Sequence, residues 1–296
     1  MGSQVRHPQP RKKYSEAPAK LSIGISPCPN DVFVFSGFLL GRVKAGTAFD
    51  FRFEDVETLN RAAIRGEFDL VKISYANTLN CKEYRPLTCG GALGRNCGPL
   101  LLTGGGDWDP GGEVLVPGEH TTADFLLDLW AGKRLQKRFL PFDALYGELL
   151  GNRRAQGVVI HEKRFTYARD GLRLVKDLGA HWEFSTGHPI PLGALAYRER
   201  PGLLPAVEME AAIRASLEWA WSHEKEVLAL CARHAQSPDP EVIRAHVALY
   251  VNEFTRDLGP VGRKAVAHFL SKLRARGRRT ELKMRGLMRA RTVIFP

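Results

Sequence analysis

The chain has 296 residues, 44% apolar and 25% charged, a balance that excludes disordered and fibrous classes and leaves room for about two domains with a sizeable core. Its formal charge of +11 raises nucleic acid or an anionic surface as a partner. The excess is local, however: residues 1–20 hold five basic side chains against Glu16, the stretch from Lys272 holds nine against Glu281, and residues 21–271 are close to neutral. Such blocks are expected to be solvated tails, a disordered one over 1–20 and a basic one over 276–296, which argues against nucleic acid as the main partner.

The five cysteines, Cys28, Cys81, Cys89, Cys97 and Cys231, contain no Cys-x-x-Cys pair. Neither a disulfide framework nor a zinc ribbon is expected, and reduced thiols in a cytoplasmic setting fit best. No apolar run approaches 18 residues, and Pro27, Pro29, Asn30 and Asp31 interrupt the first hydrophobic stretch. Membrane insertion and an export signal are therefore not expected. Nothing in the sequence sets the oligomeric state.

From Leu21 onward, short apolar runs alternate with helical patterns, the signature of an α/β protein. Leu21–Ser26 reads as a strand, followed by a prolyl turn and a helix with Phe35, Phe38 and Leu39 on one face and Asn30 or Asp31 as its N-cap. Phe49–Val56 alternates as a second strand. Leu59, Ala62, Ala63 and Gly66 share a face of a short helix that stops at the glycine. In the strand Phe68–Ser74, Leu70, Lys72 and Ser74 face one side and Val71 and Ile73 the other.

A glycine-rich stretch over 86–98 leads into Leu100–Leu102 and reads as a connection between two lobes. Residues 103–112 are glycine-rich without phosphate-loop spacing, hence a surface loop. Val114–Val116 opens a second series: strand, turn, a helix over 122–131, a strand ending near Pro141, a helix over 145–150, and the strand 158–160 with His161 directly after it. Beyond Leu203 the pattern is helical. Ile213, Leu217, Trp221, Leu228 and Cys231 keep one helical face for nearly six turns, and further helices cover about 240–251 and 262–274.

Ligands of open α/β sheets bind beyond the carboxyl ends of strands and against helix N-termini. Three strand ends here carry polar groups. Ser26–Asp31 suits a capped turn; Lys72 is either a snorkelling lysine or a ligand group; Thr121 and Thr122 are either an ordinary cap or, with free helix N–H groups, a carboxylate site. His161, with Glu162 pointing to the opposite side, is either a satisfied core histidine or a group for proton transfer near neutral pH. A zincin helix would need a histidine where Phe165 stands, so no metal is expected.

Taken together, Ser26-Pro-Cys-Pro-Asn-Asp31, Asp55-Val-Glu-Thr-Leu-Asn60, Lys72-Ile-Ser74, Gly90-Gly-Ala-Leu-Gly94 and Pro117-Gly-x-His-Thr-Thr-Ala123 resemble the 1,4-dihydroxy-6-naphthoate synthase family of the futalosine route to menaquinone. In the second half Ile160-His-Glu-x-Arg-Phe-Thr-Tyr167, Asp177-Leu-Gly179, Trp182-Glu183, Pro189-Ile-Pro-Leu-Gly193 and Tyr250-Val-Asn252 are similar in the same order. The prolyl turn and the histidine run favour this family over the related chorismate dehydratases.

The resemblance implies a two-lobed fold like that of type II periplasmic binding proteins, with an interlobe substrate cleft. Residues 21–102 plus 196–275 would form the first lobe and 103–195 the second, with the glycine-rich crossover and the return strand near 190–197 as hinges. It implies a carbon–carbon lyase acting on cyclic dehypoxanthinyl futalosine, with His161 as proton acceptor, Lys72, Ile73, Ser74, Thr121 and Thr122 as substrate-binding residues, and no metal or organic cofactor. Gly151-Asn-Arg-Arg-Ala-Gln-Gly157 departs from the family's shorter, more acidic turn. A binding module on the same fold is the main rival, because fold alone does not fix function.

Overall fold

The structure, a computed structural model, describes residues 20–292 apart from residue 238. The N-terminal tail lies outside the described residues except for Lys20. Among the described residues, eleven strands and ten helices follow in order: β1 (Leu21–Ile25), α1 (Pro29–Leu39), β2 (Phe49–Phe53), α2 (Val56–Ile64), β3 (Leu70–Ser74), β4 (Arg85–Pro86), β5 (Ala92–Gly94), β6 (Leu100–Thr103), β7 (Val114–Val116), α3 (Thr122–Ala131), β8 (Lys137–Phe139), α4 (Phe142–Gly151), β9 (Gln156–Val159), β10 (Arg173–Asp177), α5 (Leu178–Thr186), β11 (Ile190–Tyr197), α6 (Ala206–Ser222), α7 (Glu224–His234), α8 (Pro240–Tyr250), α9 (Glu253–Arg256) and α10 (Gly259–Thr292).

The strands form two sheets. The first runs β2-β1-β3-β11-β4 with β5 also on β11; the second runs β10-β6-β9-β7-β8. In the first, β1 is parallel to β2 and β3, and β11 returns antiparallel to β3 with Gly193 opposite Ser74. Parallel strands flanked by helices bury both faces, and accordingly Leu21, Ile23, Ile25, Leu70, Val71 and Ile73 are buried. Gly24 leaves room for two core side chains: a Cβ would lie 2.8–2.9 Å from the Phe68 ring and the Leu59 side chain, and these would have to shift.

Local chemistry sets the element ends. Asp55 accepts from the backbone N–H of Glu57 and Thr58 and starts α2, which shortens the expected strand 49–56 to 49–53. Gly132, at φ 64°, closes α3 in the left-handed conformation. The long helix expected after Leu203 is two helices, because His223 leaves the helical basin at φ −128° and ends α6 as it begins α7. Trp221 is consequently 38% exposed, while Ile213, Leu217 and Cys231 are buried.

The chain passes from the first sheet to the second between Gly94 and Leu100 and is back in the first from Ile190, ahead of the boundary expected at 195. The two passages touch at Gly98 and Gly179: a Cβ on Gly98 would lie 2.2 Å from the Gly179 Cα. Leu178 N donates to Pro99 O at 2.9 Å beside this contact. Arg164 ties it down, donating to the Gly98 carbonyl and, at 2.7 Å, to Asp177.

The C-terminal helix α10 continues to Thr292 rather than stopping near 274. Its Phe269 is buried against Phe125 of α3 and Trp182 of α5, and Arg276 pairs with Asp128 and Asp124 of α3. The start of the stretch expected as a tail is thus anchored to the helices of the second sheet. Among the described residues, no helix is long and apolar enough to cross a membrane.

Candidate active site

A partly open, mostly apolar cavity lies where the strand ends of the two sheets meet. His161, Lys72, Ile73, Ser74, Thr121 and Thr122 all line it, together with Ser26, Cys28, Asn30, Asp31, His246 and Tyr250. The strand end Ser26–Asp31, singled out in the sequence, thus joins the same cavity, and His246 and Tyr250 come to it from α8.

On the first sheet the polar groups form two hydrogen-bonded sets, one around Asp31 and one around Asn60. Cys28, rather than Asn30 or Asp31, is the N-cap of α1, with Pro29 in its first turn. Asp31 instead turns back, taking hydrogen bonds from Ser26 N at 3.2 Å and Ser26 Oγ at 2.7 Å. Its other oxygen accepts from the Lys72 ammonium and from Asn30 Nδ2. Lys72 therefore pairs with Asp31 while lining the cavity. Ser74 is held by Asn60, whose Oδ1 accepts from Ser74 N at 2.8 Å and whose Nδ2 donates to Ser74 Oγ at 3.2 Å. The Ser74 hydroxyl proton is then left to point elsewhere, and the cavity is where Ser74 faces.

On the second sheet both threonine hydroxyls are already engaged. Thr121 Oγ1 caps α3 by accepting from Asp124 N and donates to Gly118 O; Thr122 Oγ1 donates to Leu192 O of β11. Both threonines line the cavity, with their hydroxyl protons directed to carbonyl oxygens. What remains for an anion is the N-terminus of α3 itself.

His161 follows β9 in a left-handed backbone conformation, φ 59°, which costs a non-glycine residue about 1–2 kcal/mol. Its ring stands edge-on to Phe142 at 5.2 Å, and its Nδ1 lies 3.0 Å from Cys28 Sγ, across 133 residues of sequence. Burial lowers its pKa from 6.5 to about 4, against the opposing pull of Asp31 and Asp55, so the imidazole is neutral at pH 7. Burial, then Glu162 and Asp31, pushes the Cys28 thiol well above its ordinary value.

Glu162 does not point away from His161. A 3-10 turn over His161–Phe165 replaces the continuing strand, and the Glu162 carboxyl is buried, with the backbone N–H groups of Glu162 and Gln236 beside it. Burial raises its pKa. Cys28 Sγ, His161 Nδ1 and a Glu162 oxygen lie within 4.8 Å of one another, a ligand set a zinc ion would accept only after the thiol lost its proton, which burial opposes.

His246 is the residue that pattern reading passed over. It sits in α8 among Val242, Ile243, Val247 and Tyr250, all buried, and a polar ring on such an apolar face was the available signal. Its Nε2 is 2.9 Å from Asn30 Oδ1.

Comparison with known proteins agrees with this architecture. Residues 21–275 match the family model described as menaquinone biosynthesis. The chain is 42% identical over 264 residues to a 1,4-dihydroxy-6-naphthoate synthase of Streptomyces coelicolor, covering 87% of this chain and 94% of the relative. It is 44% identical over 264 residues to the synthase of that name from Thermus thermophilus, covering 87% and 95%. Among solved structures, protein AF1704 from Archaeoglobus fulgidus superposes with a TM-score of 0.81 at 29% identity, covering 87% of this chain and 98% of that one. The alkanesulfonate-binding protein SsuA of Xanthomonas axonopodis shares the fold at a TM-score of 0.61 and 14% identity, over 80% of this chain and 86% of that one. The two sheets are thus the two halves of a periplasmic-binding-protein-like fold, and the chain belongs to the menaquinone biosynthesis family that contains the 1,4-dihydroxy-6-naphthoate synthases.

Proposed function

We propose that this chain converts cyclic dehypoxanthinyl futalosine to 1,4-dihydroxy-6-naphthoate by carbon–carbon cleavage, with His161 as the proton acceptor. The observation that carries the reading is a neutral imidazole, held by a buried thiol, in a largely apolar cavity at the junction of the two sheets. If Nδ1–H donates to the Cys28 sulfur, the Nε2 lone pair is left for the substrate. His161 then takes a proton from a hydroxyl or an acidified C–H. The electron pair released drives cleavage of the bond to the sugar-derived fragment, and the bicyclic ring becomes aromatic. The Ser74 hydroxyl and the N-terminus of α3 hold the substrate carboxylate or the developing oxyanion.

The two sheets act as lobes that close about the Gly98–Gly179 contact and exclude water. Five free, buried cysteines are consistent with a reducing, cytoplasmic setting. The test incubates purified protein with cyclic dehypoxanthinyl futalosine and follows 1,4-dihydroxy-6-naphthoate by mass spectrometry. A folded sample that forms no product refutes the activity and leaves the binding-module reading. His161→Ala is expected to reduce turnover about 100-fold or more, the scale of a lost general base.

A further inference from the structure

We infer that His246 Nδ1 is a built hydrogen-bond acceptor for a hydroxyl group of the bound substrate. The inference takes the cavity to be the substrate site, as proposed above, and adds a recognition element to it.

The tautomer follows from the chain of hydrogen bonds. Asp31, facing the Lys72 ammonium and taking two hydrogen bonds from Ser26, is a carboxylate and can only accept. Asn30 lies 2.8 Å from Asp31 Oδ1 and must present its NH₂ there, so its Oδ1 faces His246 Nε2 at 2.9 Å. An amide oxygen accepts; Nε2 therefore carries a proton. Burial, with smaller contributions from His161 and Lys72, holds the His246 pKa well below 6.5, so the ring carries no second proton.

Nδ1 is then a bare lone pair. It is buried and has no hydrogen-bond partner among the described residues, in a side chain that is 1% exposed and lines the cavity. Tyr250, 4.5 Å away at 40°, and Phe165, at 6.3 Å, hold the ring plane. A buried acceptor left unpaired is a cost to the free protein that a ligand donor relieves. A carbonyl or carboxylate placed there would meet lone pair with lone pair; a hydroxyl would not. The site thus selects a hydroxyl-bearing portion of the ligand opposite His246, which in the proposed substrate is the sugar-derived portion.

Two variants separate the roles of the ring. His246→Gln keeps an N–H donor near Nε2 for Asn30 and removes the acceptor; His246→Asn places an amide oxygen near Nδ1 and gives up the Asn30 bond. With cyclic dehypoxanthinyl futalosine as probe, His246→Gln is expected to raise KM about 10- to 100-fold with kcat changed only a few-fold, and His246→Asn to raise it less. Nitrogen-15 NMR of the histidine-labelled protein, assigned with His246→Gln, is expected to show an Nε2–H tautomer whose Nδ1 resonance moves when the compound is added. A protonated Nδ1 in the free protein overturns the inference whatever becomes of the activity, and so does an unchanged KM in folded His246→Gln. Failure of the wild-type protein to turn the compound over refutes the activity instead, and the tautomer is still read from the free protein.

Discussion

Acidification should expose the titration of His161, which a His161→Gln variant separates from that of His246, also held low by burial. The imidazole has a pKa of about 4 in the folded protein against 6.5 unfolded. Between these values the unfolded chain binds the proton and the folded one does not, so stability is fully present above pH 6.5 and declines as pH falls toward 4. The difference of about 2.5 pH units at 1.36 kcal/mol each gives a loss of at most about 3–4 kcal/mol, an upper limit because the side chain keeps a partial opening onto the cavity. His161→Gln removes this titration and leaves His246 in place, so the wild type should lose more stability than the variant between pH 7 and pH 4.5. Denaturant unfolding of both proteins, followed by tryptophan fluorescence, measures the difference. In the same window the acid limb of kcat/KM should fall near pH 4, since that limb reports the base of the free enzyme. Parallel stability curves for the two proteins, or a limb centred at 6.5, would refute the assignment of a buried neutral His161.

Two further substitutions test the supports of the site. Lys72→Met leaves the Asp31 carboxylate, only 2% exposed, without its cation and should cost about 3–5 kcal/mol, most of it restored by adding Asp31→Asn; equal stability of the single and double variants would show the pair is not coupled. Gly98→Ala would place a Cβ 2.2 Å from the Gly179 Cα and force the two passages apart, costing about 3 kcal/mol, whereas Gly147→Ala, with open space at its Cβ in α4, should be neutral or slightly stabilising; calorimetric melting of both distinguishes a packed contact from a loose one.

The sequence by itself determined the alternation of strands and helices, and with it the placement of Lys72, Ser74, Thr121 and His161 at strand or helix ends, because side-chain periodicity is a local property of the backbone. The glycine-rich stretch over 86–98 was less legible: its β5 pairs with β11 in the first sheet, and the chain leaves that sheet only after Gly94. Local pattern could not show that His223 would break the α6–α7 face, since the pattern tolerates a one-residue irregularity that a helix does not. Nor could it tell a cap from a ligand group: Thr121 spends its hydroxyl proton on Gly118, and Asp31 turns from capping α1 to pairing with Lys72. Only the tertiary structure brought Cys28 to His161 across 133 residues and Asn30 to His246 across 216. Proton positions in this cleft are decided by those long-range partners, because a buried imidazole takes the tautomer its hydrogen-bonding neighbours impose, and periodicity carries no record of which neighbour that will be.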